Sequence, residues 1–294
     1  KPKFINRPNF FILGAGRCGT TSLYYYLKQH PDIFMSPVKE PCFFCEGFQV
    51  VDNPIQYFEL FDFVENETLI GEASHAYLTN PSTARVLKAL FPEAKFAVIL
   101  RNPADRAYSL YHWMRRYGFE KINTFEKALK AEEKRVDSQS FRNKCPQYYY
   151  NFLYFRSGLY AEQIERYFSL FDRNQFHFLT LEQLKTDPET SVKAILKFLH
   201  LSTDFKPDTQ IRNKGLLTTR VPLIQYILIT KVKRPFWLRK LGKKILRKTN
   251  FKEIPPIRTE TRKTLLLRYD KDLRKLYHLT GVHFHSQGGK NEVG

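Results

Sequence analysis

Asn9-Phe10-Phe11-Ile12-Leu13-Gly14-Ala15-Gly16-Arg17-Cys18-Gly19-Thr20-Thr21-Ser22-Leu23 is the stretch that sets the fold. Asn9 to Leu13 is a short apolar run of the kind that makes a buried parallel strand, and it ends at three glycines. From Thr20 onward Leu23, Tyr26 and Leu27 give a helix one apolar face, and His30-Pro31-Asp32 stops it. Strand, glycine turn and helix in this order aim successive backbone N–H groups from a helix N-terminus, with three hydroxyl residues beside them. Such a turn makes a site for a tetrahedral oxyanion.

Gly14, Gly16 and Gly19 also satisfy Gly-x-Gly-x-x-Gly, which brings a dinucleotide-binding fold into consideration. The acidic residue that such a fold needs about 20 positions later would fall in Pro37-Val38-Lys39-Glu40-Pro41, where two prolines argue against a strand. Read as Gly-x-x-x-x-Gly, the turn is P-loop-like, with Thr20 in place of the usual Lys and the cation moved to Arg17. Without that Lys and a magnesium-holding acid, a nucleoside triphosphatase or P-loop kinase is the weaker alternative.

Working outward, Lys95 to Leu100 is a second apolar strand that stops at Arg101-Asn102-Pro103, and Asp105 to Tyr117 then reads as an amphipathic helix. Leu69 to Glu72 reads as another strand, running into Ala73-Ser74-His75, and Pro81 to Phe91 has helical spacing. Helix, strand and helix follow at Gly158–Phe171, Gln175–Thr180 and Pro188–Leu199. Pro37 to Phe48, rich in Pro, Phe and Cys, reads as a loop over a site. The grammar is that of a three-layer α/β fold with a central parallel sheet and its site at the carboxyl ends of the strands. A single domain over 1–294 is expected, since no linker marks a second one.

The chain has 294 residues, 43% of them apolar and 15% aromatic, with 48 Lys+Arg against 29 Asp+Glu and a formal charge of +19. Disordered and collagen-like classes are excluded, and the charge calls for an anionic partner. Thirteen of the basic residues and no acidic ones lie between 209 and 252. Within that segment Val221 to Lys248 alternates apolar residues with nine Lys/Arg. It reads equally as a helix lying on an anionic membrane or acidic polymer and as a solvated helix covering the site. Cys18, Cys42, Cys45 and Cys145 are too few for a disulfide scaffold, and reduced structural thiols are expected. The histidines, His112, His200 and His278 among them, lack metal-ligand spacing. Lys1 stands where an initiating Met would, as in a chain cut from something larger.

Phe11 to Leu23 resembles the 5'-phosphosulfate loop of sulfotransferases that use 3'-phosphoadenosine 5'-phosphosulfate (PAPS), whose core is Lys-x-Gly-Thr-Thr. Arg101 leaving a strand, with Ser109 eight residues on, is similar to the family's 3'-phosphate site. Lys39-Glu40-Pro41-Cys42-Phe43-Phe44 resembles the Lys-Glu-Pro-x-Phe-Phe element of bacterial and heparan-type sulfotransferases. Ser157-Gly158-Leu159-Tyr160 looks like their Gly-x-Tyr helix, and Arg212-Asn213-Lys214-Gly215 like the late Lys-Gly loop over the nucleotide. The chain departs from the pattern at Arg17, where the loop Lys is usual. It departs again at Ala73 and His75, which stand for the Lys and Pro of a Glu-Lys-Ser/Thr-Pro element.

The resemblance implies sulfuryl transfer from PAPS to an acceptor hydroxyl on a glycan, glycolipid or secondary metabolite, with no metal. Arg17, Cys18, Gly19, Thr20, Thr21, Ser22, Arg101, Ser109, Tyr160, Lys214 and Gly215 are the implied donor-binding residues. Arg17 would stabilise charge on the transferred group and the leaving phosphate. His75 and Glu40 are the candidates for the base, with His75 preferred and Glu40 orienting it or touching the acceptor. A cytoplasmic enzyme is expected, with a peripheral membrane contact through 221–248 and no specific nucleic acid. The rival from another class is a non-enzymatic polyanion- or membrane-surface-binding protein. That rival would explain the charge but not Arg17, Arg101 and Ser109.

Overall fold

The computed structural model describes residues 6–209, 217–219 and 251–284. They divide into two compact units, one of residues 6–102, 159–209 and 269–284, the other of 103–158, 217–219 and 251–268.

The first unit carries a five-stranded sheet of β1 (Phe10–Gly14), β2 (Ile33–Met35), β3 (Leu69–Ala73), β4 (Lys95–Leu100) and β5 (Phe176–Thr180), in the order β2-β3-β1-β4-β5. Every pairing is parallel. All of β1 and all of β4 after Lys95 are buried, and a strand covered on both faces has no call for polar alternation. Phe11 pairs with Glu72 on one side and with Phe96 on the other, so β1, β3 and β4 end side by side. The loops after these three strands therefore emerge together at one edge of the sheet.

The helices of this unit are α1 (Thr20–Leu27), α2 (Pro54–Glu59), α3 (Ala76–Thr79) and α4 (Thr83–Leu90). The second unit has α5 (Pro103–Arg116), α6 (Phe125–Val136) and α7 (Gln139–Lys144). The first resumes with α8 (Tyr160–Phe168), α9 (Leu181–Thr186) and α10 (Pro188–Leu199). A final helix, α11 (Thr259–Thr280), starts among the residues of the second unit and ends among those of the first. In the first unit α1 packs on α10 and α10 on α9, while α3 packs on α4 and α8. These helix groups flank the sheet, which is the expected α/β architecture.

Aromatic side chains dominate the core. Phe11 lies 5.3 Å from Phe91 between ring centres, and Phe96 lies 4.8 Å from Phe171 and 4.9 Å from Phe176. In the second unit buried Glu120 binds Arg135 at 2.8 Å and accepts the Tyr154 hydroxyl at 2.8 Å. Its strands β6 (Leu217–Thr219) and β7 (Phe251–Glu253) pair antiparallel. All four cysteines are free thiols, with Cys18, Cys42 and Cys45 buried. Among the described residues no helix is long and apolar enough to cross a membrane. Lys214, Gly215 and the basic stretch 221–248 lie outside the described residues.

Candidate active site

The turn after β1 is shaped by what stands close to its glycines. Gly19 takes a left-handed conformation, φ 97°, and a Cβ there would come within 2.7 Å of Leu181 Cδ1. It contributes no side-chain cap to α1, whose first N–H groups belong to Thr20, Thr21 and Ser22. Thr20 is buried, whereas Thr21, Ser22 and Arg17 are half-buried. Arg17 also has positive φ, 70°, so its Cα sits in a tight backbone turn. Cys18 is buried, its thiol lies 3.7 Å from the Gly16 carbonyl, and its N–H donates to the Ala15 carbonyl at 3.2 Å.

Gly16 marks where the turn meets the loop after β3. A Cβ on Gly16 would sit 2.8 Å from His75 Cδ2, so the imidazole lies directly against the glycine turn. His75 is there because β3 ends at Ala73 and the Ser74 N–H donates to the Ile12 carbonyl at 3.2 Å, tying this chain end to β1. Gly16→Ala is expected to displace the ring and cut turnover by about 10-fold or more. Its readout is kcat.

His75 Nδ1 lies 2.6 Å from Glu40 Oε2, and Lys39 Nζ donates to Glu40 Oε1 at 2.8 Å. Burial alone would raise the Glu40 carboxyl. The charge and hydrogen bond of His75, followed by those of Lys39, outweigh it and hold the group well below the usual carboxylate range. Glu40 adopts φ 79°, an uncommon backbone state for a side-chain-bearing residue. With Glu40 accepting at Nδ1, the imidazole keeps its Nε2 lone pair for a proton. Lys39 and His75 share one carboxylate, so Glu40 joins both side chains.

Arg101 follows β4 in the first unit, and Ser109 lies on α5 in the second; both are half-buried. Tyr160, read from the sequence as a donor-binding residue, is fully buried. Its hydroxyl donates to the Arg101 carbonyl at 3.0 Å and lies 3.7 Å from Cys18 Sγ. Tyr160 therefore braces the glycine turn against the end of β4 from inside. Among the described residues no group of three or more His, Cys, Asp or Glu is arranged to hold a metal.

Glu72, the Glu of the Glu-Lys-Ser/Thr-Pro element, has no role assigned to it by the sequence. It is completely buried and accepts from Ser74 Oγ at 2.6 Å, Tyr57 OH at 2.6 Å and Tyr77 OH at 3.1 Å. Burial pushes its carboxyl from 4.5 up to about 7, against the three hydrogen bonds, which lower it. The folded chain then holds a proton here to higher pH than the unfolded chain does. This group's contribution to stability is complete below pH 4.5 and is lost as pH rises through about 7. Wild-type Tm is expected to fall relative to that of Glu72→Gln across this window, as followed by thermal unfolding at a series of pH values.

The family model for the "Sulfotransferase domain" matches residues 7–217. A solved sulfotransferase from Alicyclobacillus acidocaldarius is 31% identical, with a TM-score of 0.72 over 95% of this chain and 98% of its own. The chain is 24% identical to the membrane-associated sulfotransferase kil1 of Dictyostelium discoideum, over 72% of this chain and 60% of that protein. It is 28% identical to the bifunctional heparan sulfate N-deacetylase/N-sulfotransferase 4 of Mus musculus, over 93% of this chain and 30% of that protein. The chain thus spans less than two thirds of the length of either curated relative. The glycine turn, the parallel sheet and the family match over both units agree: the chain belongs to the sulfotransferase family.

Proposed function

We propose that this chain transfers the sulfuryl group of PAPS to an acceptor hydroxyl, with His75 as the base and Glu40 as its orienting partner. The observation that carries this reading is the placement of the His75 ring against Gly16, with its other face of hydrogen bonding committed to Glu40 at 2.6 Å. The glycine turn fits a phosphosulfate: Gly16 lets it lie against the His75 ring, Gly19 lets it pack on Leu181, and Arg17 and the N-terminus of α1 supply positive potential. When bound, the donor supplies an activated sulfuryl group on a phosphate leaving group.

The residues then divide the work. His75 Nε2 takes the proton of the acceptor hydroxyl while that oxygen forms its bond to sulfur, and Glu40 stabilises the imidazolium. Arg17 and the turn amides would hold the 5'-phosphate and offset the charge it gains as its bond to sulfur breaks. Arg101 and Ser109 are assigned the 3'-phosphate by family resemblance, and Lys214 and Gly215 the cover of the nucleotide. We also take residues 1–294 to work as a single sulfotransferase domain, which the family match across both units supports.

A base held this way suits an alcohol on a glycan, glycolipid or secondary metabolite, whose proton must leave as the new bond forms. The mouse relative is named for heparan sulfate and N-sulfotransfer, so an amine on a glycan is the competing outcome. The donor assignment is checked by unfolding with and without adenosine 3',5'-bisphosphate at moderate salt. At 100 times its Kd the expected stabilisation is about 2.7 kcal/mol. Stabilisation by any polyanion, falling steeply with salt, would instead mark a polyanion-binding protein.

A further inference from the structure

Glu72 lies behind the loop that carries Glu40, and its hydrogen bonds lead to that loop through two hydroxyls. Ser74 Oγ donates to Glu72 Oε1 at 2.6 Å and accepts the Cys42 N–H at 3.0 Å. Tyr77 OH donates to Glu72 Oε2 at 3.1 Å and accepts the Phe44 N–H at 3.4 Å. A hydroxyl has one proton, so giving it to Glu72 commits its lone pairs to the loop amide. Tyr57 OH also donates to Oε2, at 2.6 Å, and it is a useful contrast because among the described residues its hydroxyl bonds only Glu72.

The loop has reason to be held. Glu40 and Cys42 both have positive φ, 79° and 50°, backbone states that cost energy for residues with a Cβ. Cys42 and Phe44 are buried, so an amide there without a partner would carry a desolvation penalty.

We propose that Glu72 is a positioning residue for the catalytic loop: by fixing the direction of the Ser74 and Tyr77 hydroxyls it anchors Cys42 and Phe44, and thereby keeps Glu40 against His75. This inference rests on the roles proposed for Glu40 and His75. The groups facing Glu72 are Tyr57 of α2, Ser74 after β3, Tyr77 of α3, and Cys42 and Glu40 of the loop.

The test uses Glu72→Gln, Ser74→Ala and Tyr57→Phe in the full chain, read by steady-state kinetics with PAPS and by hydrogen exchange of the Cys42 and Phe44 amides. Glu72→Gln is expected to lower kcat by about 10-fold or more, with KM for PAPS within about 2-fold. The same variant should speed exchange at both amides by about 10-fold. Ser74→Ala should do this at Cys42 alone, and Tyr57→Phe should leave kcat within about 3-fold of wild type. Unchanged exchange at Cys42 and Phe44 in Glu72→Gln, or equal losses of kcat in Glu72→Gln and Tyr57→Phe, would overturn the inference. If Glu72→Gln fails to fold, Ser74→Ala decides the matter by the same two readouts. A wild-type chain that transfers no sulfuryl group would sink the proposed function, while the exchange data would still judge Glu72.

Discussion

Replacing His75 with alanine is expected to lower kcat by about 10²- to 10⁴-fold, the usual range for loss of a positioned general base. The donor should still bind, because the turn amides and Arg17 do not depend on the imidazole, and affinity for adenosine 3',5'-bisphosphate is the check. Folding should survive as well, since Glu40 keeps Lys39 at 2.8 Å when His75 is gone. Glu40→Gln is expected to act in the same direction by another route. Lys39 and His75 both donate to Glu40, and an amide can accept from only one of its two heads. If the NH2 group faces His75, the imidazole must present Nδ1 as acceptor and carry its proton on Nε2, the wrong tautomer for a base. Near-normal turnover in both variants, with donor binding intact, would remove the dyad from the mechanism.

Arg17→Ala is expected to reduce kcat/KM by about 10²- to 10³-fold, roughly 2.7–4 kcal/mol, the cost of losing a donor aimed at developing charge. The change is a clean one for the backbone. Arg17 already holds a side chain at φ 70°, and alanine carries the same Cβ into the same conformation. Arg17→Lys should retain a substantial part of the activity, since it restores the point charge without the planar fork. The split between kcat and KM locates the effect. A loss confined to KM would mean that Arg17 holds ground-state donor only, whereas an equal fall in kcat and kcat/KM marks charge that appears in the transition state.

Much of the fold is legible along the chain because its central strands are buried on both faces. Phe10–Gly14 and Lys95–Leu100 announce themselves as apolar runs that end at special residues, and the parallel sheet follows from them. Ile33–Met35 is not announced: three residues are too few for a period, and the strand exists because it pairs with Leu69–Gly71. Pro54–Glu59 hides in a polar-aromatic stretch, although Asn53 capping Ile55 and Gln56 ahead of Pro54 is a local start signal. The helix Thr259–Thr280 follows the basic segment and is highly charged, so its buried face of Leu265, Leu266, Tyr269 and Leu276 stands out only in the fold.

The site was legible by parts. Arg17, Glu40 and His75 are reached through their motifs, but only the fold places the imidazole against Gly16 and its Nδ1 on Glu40. Tyr160 is a further case. Its motif reads as donor binding, and the fold adds a contact no motif shows, from its buried hydroxyl to the Arg101 carbonyl. Glu72 is the Glu of the Glu-Lys-Ser/Thr-Pro element, but that match carries no sign of what the carboxyl holds. Its partners Tyr57, Ser74 and Tyr77 are spread over three elements, and a network of that kind is visible only in three dimensions.

The most direct measurement is a screen of alcohol and amine acceptors with isotopically labelled PAPS, read by mass spectrometry and by release of adenosine 3',5'-bisphosphate. The account predicts label on an acceptor oxygen, one nucleotide released per sulfuryl group transferred, and loss of both in His75→Ala. Saturable, steeply salt-dependent binding of unrelated polyanions, with no label on any acceptor, would contradict it.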